Sequence, residues 1–139
     1  LAAERRMLYS TTGTEERRLE TVMTGPELIS IQRLVRQIPV PDKVVEAILS
    51  LVRSARPGAG SDTEVDRYVA WGPGPRASQA LMLAVRAKAL IDGRLAPSID
   101  DVVALSEPIL KHRMALKFAA RADNQDLSGI IARLAAKAG

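Results

Sequence analysis

Apolar residues recur along this chain every three or four positions, the spacing that lets a helix bury one face against a core. The pattern predicts an all-α fold, a small helical bundle of about five or six helices. Only residues 68–71 and 115–118 have a strand-like composition, so at most a very short strand pair is expected. The predicted helices cover residues 2–10, 24–38, 42–55, 75–92, 98–113 and 126–137.

The apolar stripe is clearest in the second predicted helix, where arginines fall on the opposite side. We expect this stripe to lie in the core, and we expect the alanine- and leucine-rich helix at 75–92 to lie at the centre of the bundle. Gly93 is suited to end that helix, and Pro108 predicts a kink or a break in the next one. The residues of the stripe are Leu28, Ile31, Leu34, Val35 and Ile38.

Short polar residues mark where three helices begin. Thr24 with Glu27 has the pattern of a capping box, in which each residue bonds the backbone of the other. Ser98 with Asp101 repeats that pattern. Asp42 is expected to cap the third helix with its side chain. Capping therefore accounts for these acids without a catalytic role.

A loop of alternating glycine and proline, residues 72–75, leads into the long helix. Pro75 suits the first helical position, where its missing N–H costs nothing and its φ angle is already helical. Arg76 therefore falls in the first turn, at the positive end of the helix dipole, where a cation is disfavoured by roughly 0.3–1 kcal/mol. A bound anion would reverse this, because helix N-termini and guanidinium groups both bind phosphate oxygens.

Two interpretations of Arg76 remain open on spacing alone. Arg76 either points at a phosphate or is a surface arginine after a rigid turn, and the second case is the commoner one for a short motif. Gly72 and Gly74 lack a Cβ, so a ligand could approach the backbone of the loop closely.

Composition narrows the class of protein. The chain has 139 residues, of which 47% are hydrophobic, 26% charged and 3% aromatic, with a net charge of +4. These values fit one globular domain with a core, and the scarcity of aromatics favours helices over strands. The absence of cysteine excludes disulfides and fits a reducing compartment, so a cytoplasmic location is expected. No apolar run approaches the roughly 20 residues that span a membrane.

No catalytic set is recognisable. The phosphate loop GxxxxGK[ST] is absent. The single histidine, His112, lies between two basic residues at a predicted helix end, which favours a capping or surface role. Asp62, Glu64 and Asp66 alternate in a loop but lack the glycine and distal glutamate of a calcium site, so no metal site is predicted.

Arg53 and Arg56 lie together at the end of the third predicted helix. Cations at that end complement the helix dipole, which is the simpler interpretation. A polar contact with a nucleotide or with a neighbouring subunit is the alternative. Arg76 is the one arginine whose placement local helix physics does not explain.

Taken in order, several motifs of the chain resemble the C-terminal lid of MoxR-type AAA+ ATPases. Residues 28–41 resemble that family's helix leading to a valine-proline link. Residues 51–56 resemble the end of its next helix, although threonine more usually stands at position 55. Glu4 with Met7 and Leu8 resembles the last helix of the preceding core. The other motifs are Gly72-x-x-Pro75-Arg76-Ala77, residues 89–94, Pro97-x-x-Asp100-Asp101-Val102, and residues 110–114.

The resemblance implies a role for the opening of the long helix. In such lids the arginine of this motif is the second-sensor arginine, which reaches toward the γ-phosphate of ATP. Arg76 takes that role here, with Pro75 and Ala77 beside it in the nucleotide-contacting motif. The family typically has Gly-Ala-Ser-Pro-Arg where this chain has Gly-Pro-Gly-Pro-Arg, so any role of the missing serine hydroxyl is in doubt.

The resemblance also implies a division of labour in a longer protein. Residues 1–23 would be the end of the nucleotide-binding core's last helix and a hinge, and residues 24–139 the helical lid. ATP and Mg²⁺ would be bound in the intact protein by the core, so this chain alone should neither hydrolyse ATP nor hold it tightly. The implied partners are that core, the neighbouring subunits of a chaperone-like ring, expected to be hexameric, and a von Willebrand A-type protein.

The net positive charge of the chain suggests an alternative function. A small basic helical module could bind nucleic acid or serve as a scaffold. Against it, no predicted helix concentrates basic residues on one face, and aromatic residues for stacking on bases are scarce. Nucleic acid is therefore the less favoured partner.

Overall fold

The computed structural model describes residues 1–14, 20–58 and 61–138. The predicted all-α fold with one very short strand pair is confirmed. The helices of the described residues are α1 (Ala2–Thr12), α2 (Gly25–Gln37), α3 (Asp42–Ser54), α4 (Thr63–Tyr68), α5 (Pro75–Ile91), α6 (Ile99–Leu110), α7 (Phe118–Ala122) and α8 (Leu127–Ala138). The strands are β1 (Val69–Trp71) and β2 (Ala115–Leu116), and a 3₁₀ turn covers Lys111–Arg113.

The chain divides into two compact units, Leu1–Ser30 and Ile31–Gly139. Every described residue of the first unit is exposed. The predicted boundary between residues 23 and 24 stays a prediction, and residues 15–19 of the predicted hinge lie outside the described residues. No helix of the described residues is both long enough and apolar enough to cross a membrane.

The second unit holds the core, to which α3, α5, α6 and α8 contribute one apolar face each. Pairwise packing of α5 with α6, α6 with α8, and α3 with both α5 and α8 encloses it. Burying one valine, leucine or isoleucine side chain contributes about 1.5–3 kcal/mol of transfer free energy. The largest fully buried side chains are Val44, Ile48, Leu51, Val52, Val65, Val69, Leu81, Val85, Val102, Leu110, Ile130 and Ile131.

Two helices are less buried than their patterns predict. On α2, Leu34 remains 44% exposed, and Ile38 is the only residue of the predicted stripe that is buried. On α5 a single stripe, containing Leu81 and Val85, is buried, while Ile91 at its end is largely exposed. Periodicity therefore predicts the helix correctly but does not determine how much of its apolar surface is covered.

The predicted capping boxes are present. The Thr24 N–H donates to Oε2 of Glu27 at 2.7 Å, and the Ser98 N–H donates to Oδ2 of Asp101 at 2.8 Å. The prediction for Asp42 is wrong, because Asp42 is the first residue of α3 and the cap position is Pro41. Asp42 instead lies in the first turn, where an acid complements the dipole. The break expected at Pro108 is not seen, since α6 continues to Leu110.

Asp101 also forms an ion pair, which the capping-box pattern in the sequence did not predict. Its carboxylate is 4% exposed and accepts hydrogen bonds from both terminal nitrogens of Arg94, at 2.7 and 2.8 Å. These bonds lower the pKa of Asp101, against the opposing effect of burial. Arg94 also bonds Asp92 at 2.8 Å. The pair thus ties the turn after α5 to the start of α6.

We expect Arg94→Met to lower the free energy of unfolding by about 2 kcal/mol, because it leaves a buried carboxylate with fewer donors. Urea unfolding of the chain measures this. The matched control is Lys88→Met, which removes a cation from the partly exposed Asp92 and should cost under about 0.5 kcal/mol. Because the folded pKa of Asp101 is lowered, the contribution is complete above about pH 3.9 and is lost as pH falls through the folded pKa. An equal effect of both variants would contradict this role.

Candidate functional site

Arg76 lies where the sequence predicted it, in the first turn of α5. Gly74 is the residue before the helix and Pro75 is its first residue. The side chain of Arg76 is exposed and forms no ion pair within the part of the chain that the structure describes. Its guanidinium is therefore available to an anion, at the positive end of the helix dipole.

An acid lies in the first turn of most described helices, but the first turns of α5, α7 and α8 lack one. An acid complements the dipole in the first turn of α1, α2, α3, α4 and α6. The first turn of α5 contains no acid and one arginine. The side chain of Arg76 therefore increases the positive potential at the start of α5, which an acid would have neutralised.

The loop before α5 is packed against the end of α3. A Cβ on Gly72 would lie 2.3 Å from the carbonyl oxygen of Ala55 and 2.8 Å from the Cα of Arg56. Gly72 is therefore needed for contact with α3, and the approach of a ligand to its backbone stays a prediction. At Gly74 a Cβ would meet no atom within 4 Å, so the backbone is open at that position.

Arg56 gives the loop a second contact with α3. Its Nε donates to the carbonyl oxygen of Pro73 at 2.7 Å, and Pro73 is buried. Neither interpretation made from the sequence, dipole complementarity or contact with a nucleotide, included this bond. Arg53, one turn earlier, is exposed. No spacing rule would have found the bond, because it joins residues that meet only in the folded chain.

The strand pair fixes the start of the loop. β1 and β2 are antiparallel, with Val69 opposite Leu116 and Trp71 opposite Ala115. The Lys117 N–H extends the pair by donating to the carbonyl of Tyr68 at 2.7 Å. Since β1 is followed directly by residues 72–75, the pair and α3 together fix where α5 begins.

The alternating acids near residue 62 have structural partners. Asp62 caps α4, accepting from the Glu64 N–H at 3.0 Å, and also bonds Lys137. Glu64 accepts two bonds from Arg133, at 2.9 and 2.6 Å. Asp66 accepts from the Gly58 N–H at 2.7 Å. These acids join α4 to α8 and to the preceding loop, of which residues 59 and 60 lie outside the described residues.

His112 lies in the 3₁₀ turn after α6 and is exposed. Its ring contacts the guanidinium of Arg113, which donates to the carbonyl of Ile109 at 2.6 Å. This position agrees with the surface role predicted for it. The start of α5 can supply positive charge to an anion, but its first turn contains no acid or histidine that could act as a general base.

Sequence comparisons relate the chain to known proteins. A family model for the AAA lid domain matches residues 61–133, more than half of the chain. The chaperone MoxR1 of Mycobacterium tuberculosis is 30% identical over 121 residues, which cover 86% of this chain and 32% of MoxR1. The uncharacterised protein YeaC of Bacillus subtilis is 34% identical over 98 residues, which cover 70% of this chain and 28% of YeaC. The chain thus spans about a third of the length of these relatives.

The fold itself also has a relative of known structure. The crystal structure of a candidate ATPase from Cytophaga hutchinsonii matches 96% of this chain and 41% of its own chain, with a TM-score of 0.79 and 19% identity. At that identity the likeness concerns the fold alone. None of these comparisons favours a nucleic-acid-binding or scaffold module. The chain belongs to the AAA lid domain family and is a lid of the MoxR type of AAA+ ATPase.

Proposed function

We propose that Arg76 contacts the phosphates of ATP, which is bound by the nucleotide-binding core of the intact protein, and that the lid closes over the nucleotide through this contact. The observation that carries the proposal is the start of α5, where the exposed Arg76 lies in the first turn and no acid of that turn neutralises the helix dipole. A γ-phosphate would be attracted by both the guanidinium and the helix N-terminus.

The residues beside Arg76 support its position. Pro75 begins the helix, and Ala77 is fully buried, so the first turn is anchored on both sides of the exposed arginine. The Ala77 N–H donates to the carbonyl of Gly74 at 2.9 Å. A positioned charge of this kind stabilises the charge that develops on a transferred phosphoryl group, at no cost of reorganisation. The differential affinity of the lid for ATP over ADP would then shift it between open and closed positions.

The wider protein is proposed on the resemblance. It would hydrolyse ATP with Mg²⁺, act as a chaperone-like ring of subunits, expected to be hexameric, and work with a von Willebrand A-type partner. Cytoplasmic location stays a prediction from the absence of cysteine. The lid alone is expected to bind ATP weakly, because its arginine supplies only one side of the contact.

Hydrogen–deuterium exchange of the intact protein tests the site. We expect a slowly hydrolysed ATP analogue to slow exchange in residues 71–80 more than ADP does, because the γ-phosphate would cover the first turn of α5. Peptides from α8 serve as the internal control. They should exchange equally with the ATP analogue, with ADP and without nucleotide. Equal exchange of residues 71–80 with the analogue, with ADP and without nucleotide would refute the proposed contact.

A further inference from the structure

The bond from Arg56 to Pro73 joins the core of the lid to the loop that carries Arg76. α3 is held firmly, since Leu51, Val52 and Ala55 at its end are fully buried. The Arg56 Nε lies 2.7 Å from the carbonyl oxygen of Pro73, three residues before Arg76. A movement of this loop would therefore break a hydrogen bond to a charged donor, which is among the stronger kinds.

Gly72 provides a second contact between this loop and the end of α3. Its backbone lies so near the Ala55 carbonyl and the Arg56 Cα that a Cβ would overlap them. The loop is thus in van der Waals contact with α3 at Gly72 and bonded to it at Pro73. The next residue, Gly74, is open. The loop is therefore fixed to α3 as far as Pro73, and this determines where α5 can begin.

We propose that Arg56 is a positioning residue for ATP turnover, which places the Arg76 guanidinium by fixing the loop before α5; this rests on the proposed phosphate contact of Arg76. Arg56 acts through the loop and not on the nucleotide. Catalysis by a positioned charge is sensitive to displacement, and a shift of about 1 Å costs up to about 100-fold in rate. The loss of one hydrogen bond at the loop should cost less than the loss of the charge itself.

A double-mutant cycle in the intact protein tests this. We expect Arg56→Met to lower kcat for ATP about tenfold, with the dissociation constant of ADP unchanged, because ADP lacks the phosphate that Arg76 contacts. We expect Arg76→Ala to lower kcat about 100-fold or more. The double variant should match Arg76→Ala within about twofold, since Arg56 has nothing to position once Arg76 is gone.

Two further variants keep the test specific. Arg53→Met removes an exposed arginine from the same helix end and should leave kcat unchanged. Arg56→Lys keeps a cationic donor in a different geometry and should restore kcat to within about threefold of the parent. If Arg56→Met fails to fold, the cycle is run with Arg56→Lys, and its smaller loss should likewise vanish when Arg76 is absent.

The possible outcomes separate the two proposals. A normal kcat in Arg56→Met, or a loss that persists undiminished in the Arg76→Ala background, would overturn the positioning role and leave the phosphate contact intact. A normal kcat in Arg76→Ala would overturn the proposed function and the positioning role together. A loss seen with both Arg56→Met and Arg53→Met would assign the effect to charge at the end of α3, and would also overturn the positioning role.

Discussion

Replacing Arg76 with alanine is expected to lower the ATP turnover of the intact protein by about 10²–10³-fold, the cost of removing one positioned charge-stabilising donor. The fold should not suffer, because the side chain is exposed and forms no ion pair among the described residues. Steady-state phosphate release measures kcat and KM, and thermal unfolding of the chain measures stability. Removal of a cation from a helix start should even be neutral or slightly stabilising.

The control for this prediction is Gln79→Ala. Gln79 is exposed one turn further along α5 and carries no charge, so its loss should leave turnover within about twofold of the parent. Arg76→Lys is expected to fall between the parent and the alanine variant, because an ammonium group keeps the charge but not the two-pronged geometry. Parental turnover in Arg76→Ala would remove the basis of the proposed function.

The second large effect is expected at Gly72. Gly72→Ala should lower the free energy of unfolding by about 1–3 kcal/mol, because its Cβ would overlap backbone atoms that cannot move aside like a flexible side chain. Turnover should fall as well, since relief of the overlap requires the loop to shift away from α3. Urea unfolding of the chain and phosphate release from the intact protein measure the two effects.

Gly74→Ala is the matched control, two residues away in the same loop. A Cβ there meets no atom within 4 Å, and the backbone angles of φ −81° and ψ −178° suit any residue. The expected cost is about 0.5 kcal/mol, from the weaker preference of alanine for the position before a helix. Equal destabilisation by both substitutions would mean that backbone flexibility, and not the contact with α3, makes glycine necessary at Gly72.

Local signals predicted most of the fold. The apolar repeats of α3, α5, α6 and α8 placed these helices within a few residues, and the capping boxes at Thr24 and Ser98 were confirmed. The short helices α4 and α7, of 6 and 5 residues, were not predicted, because so short a segment cannot display a repeat of 3.6 residues.

The candidate site was predictable only in part. The position of Arg76 follows from Pro75, because a proline that begins a helix determines which residue enters the first turn. The contacts of Gly72 and Arg56 were not predictable, since both depend on α3 passing close to the loop in three dimensions. A glycine required for close packing and a glycine that admits a ligand look the same in a sequence.

The pairing of β1 with β2 has a consequence for the order in which this lid folds. Isolated turns of helix form within about a microsecond, whereas contacts between distant segments must first overcome the entropy of closing a long loop. β2 follows α6 in the chain, so it leaves the ribosome after both α5 and α6 have been synthesised. An incomplete lid therefore lacks one of the two supports of the loop before Arg76. The loop before Arg76 therefore gains its second support only after α5 and α6 have been synthesised.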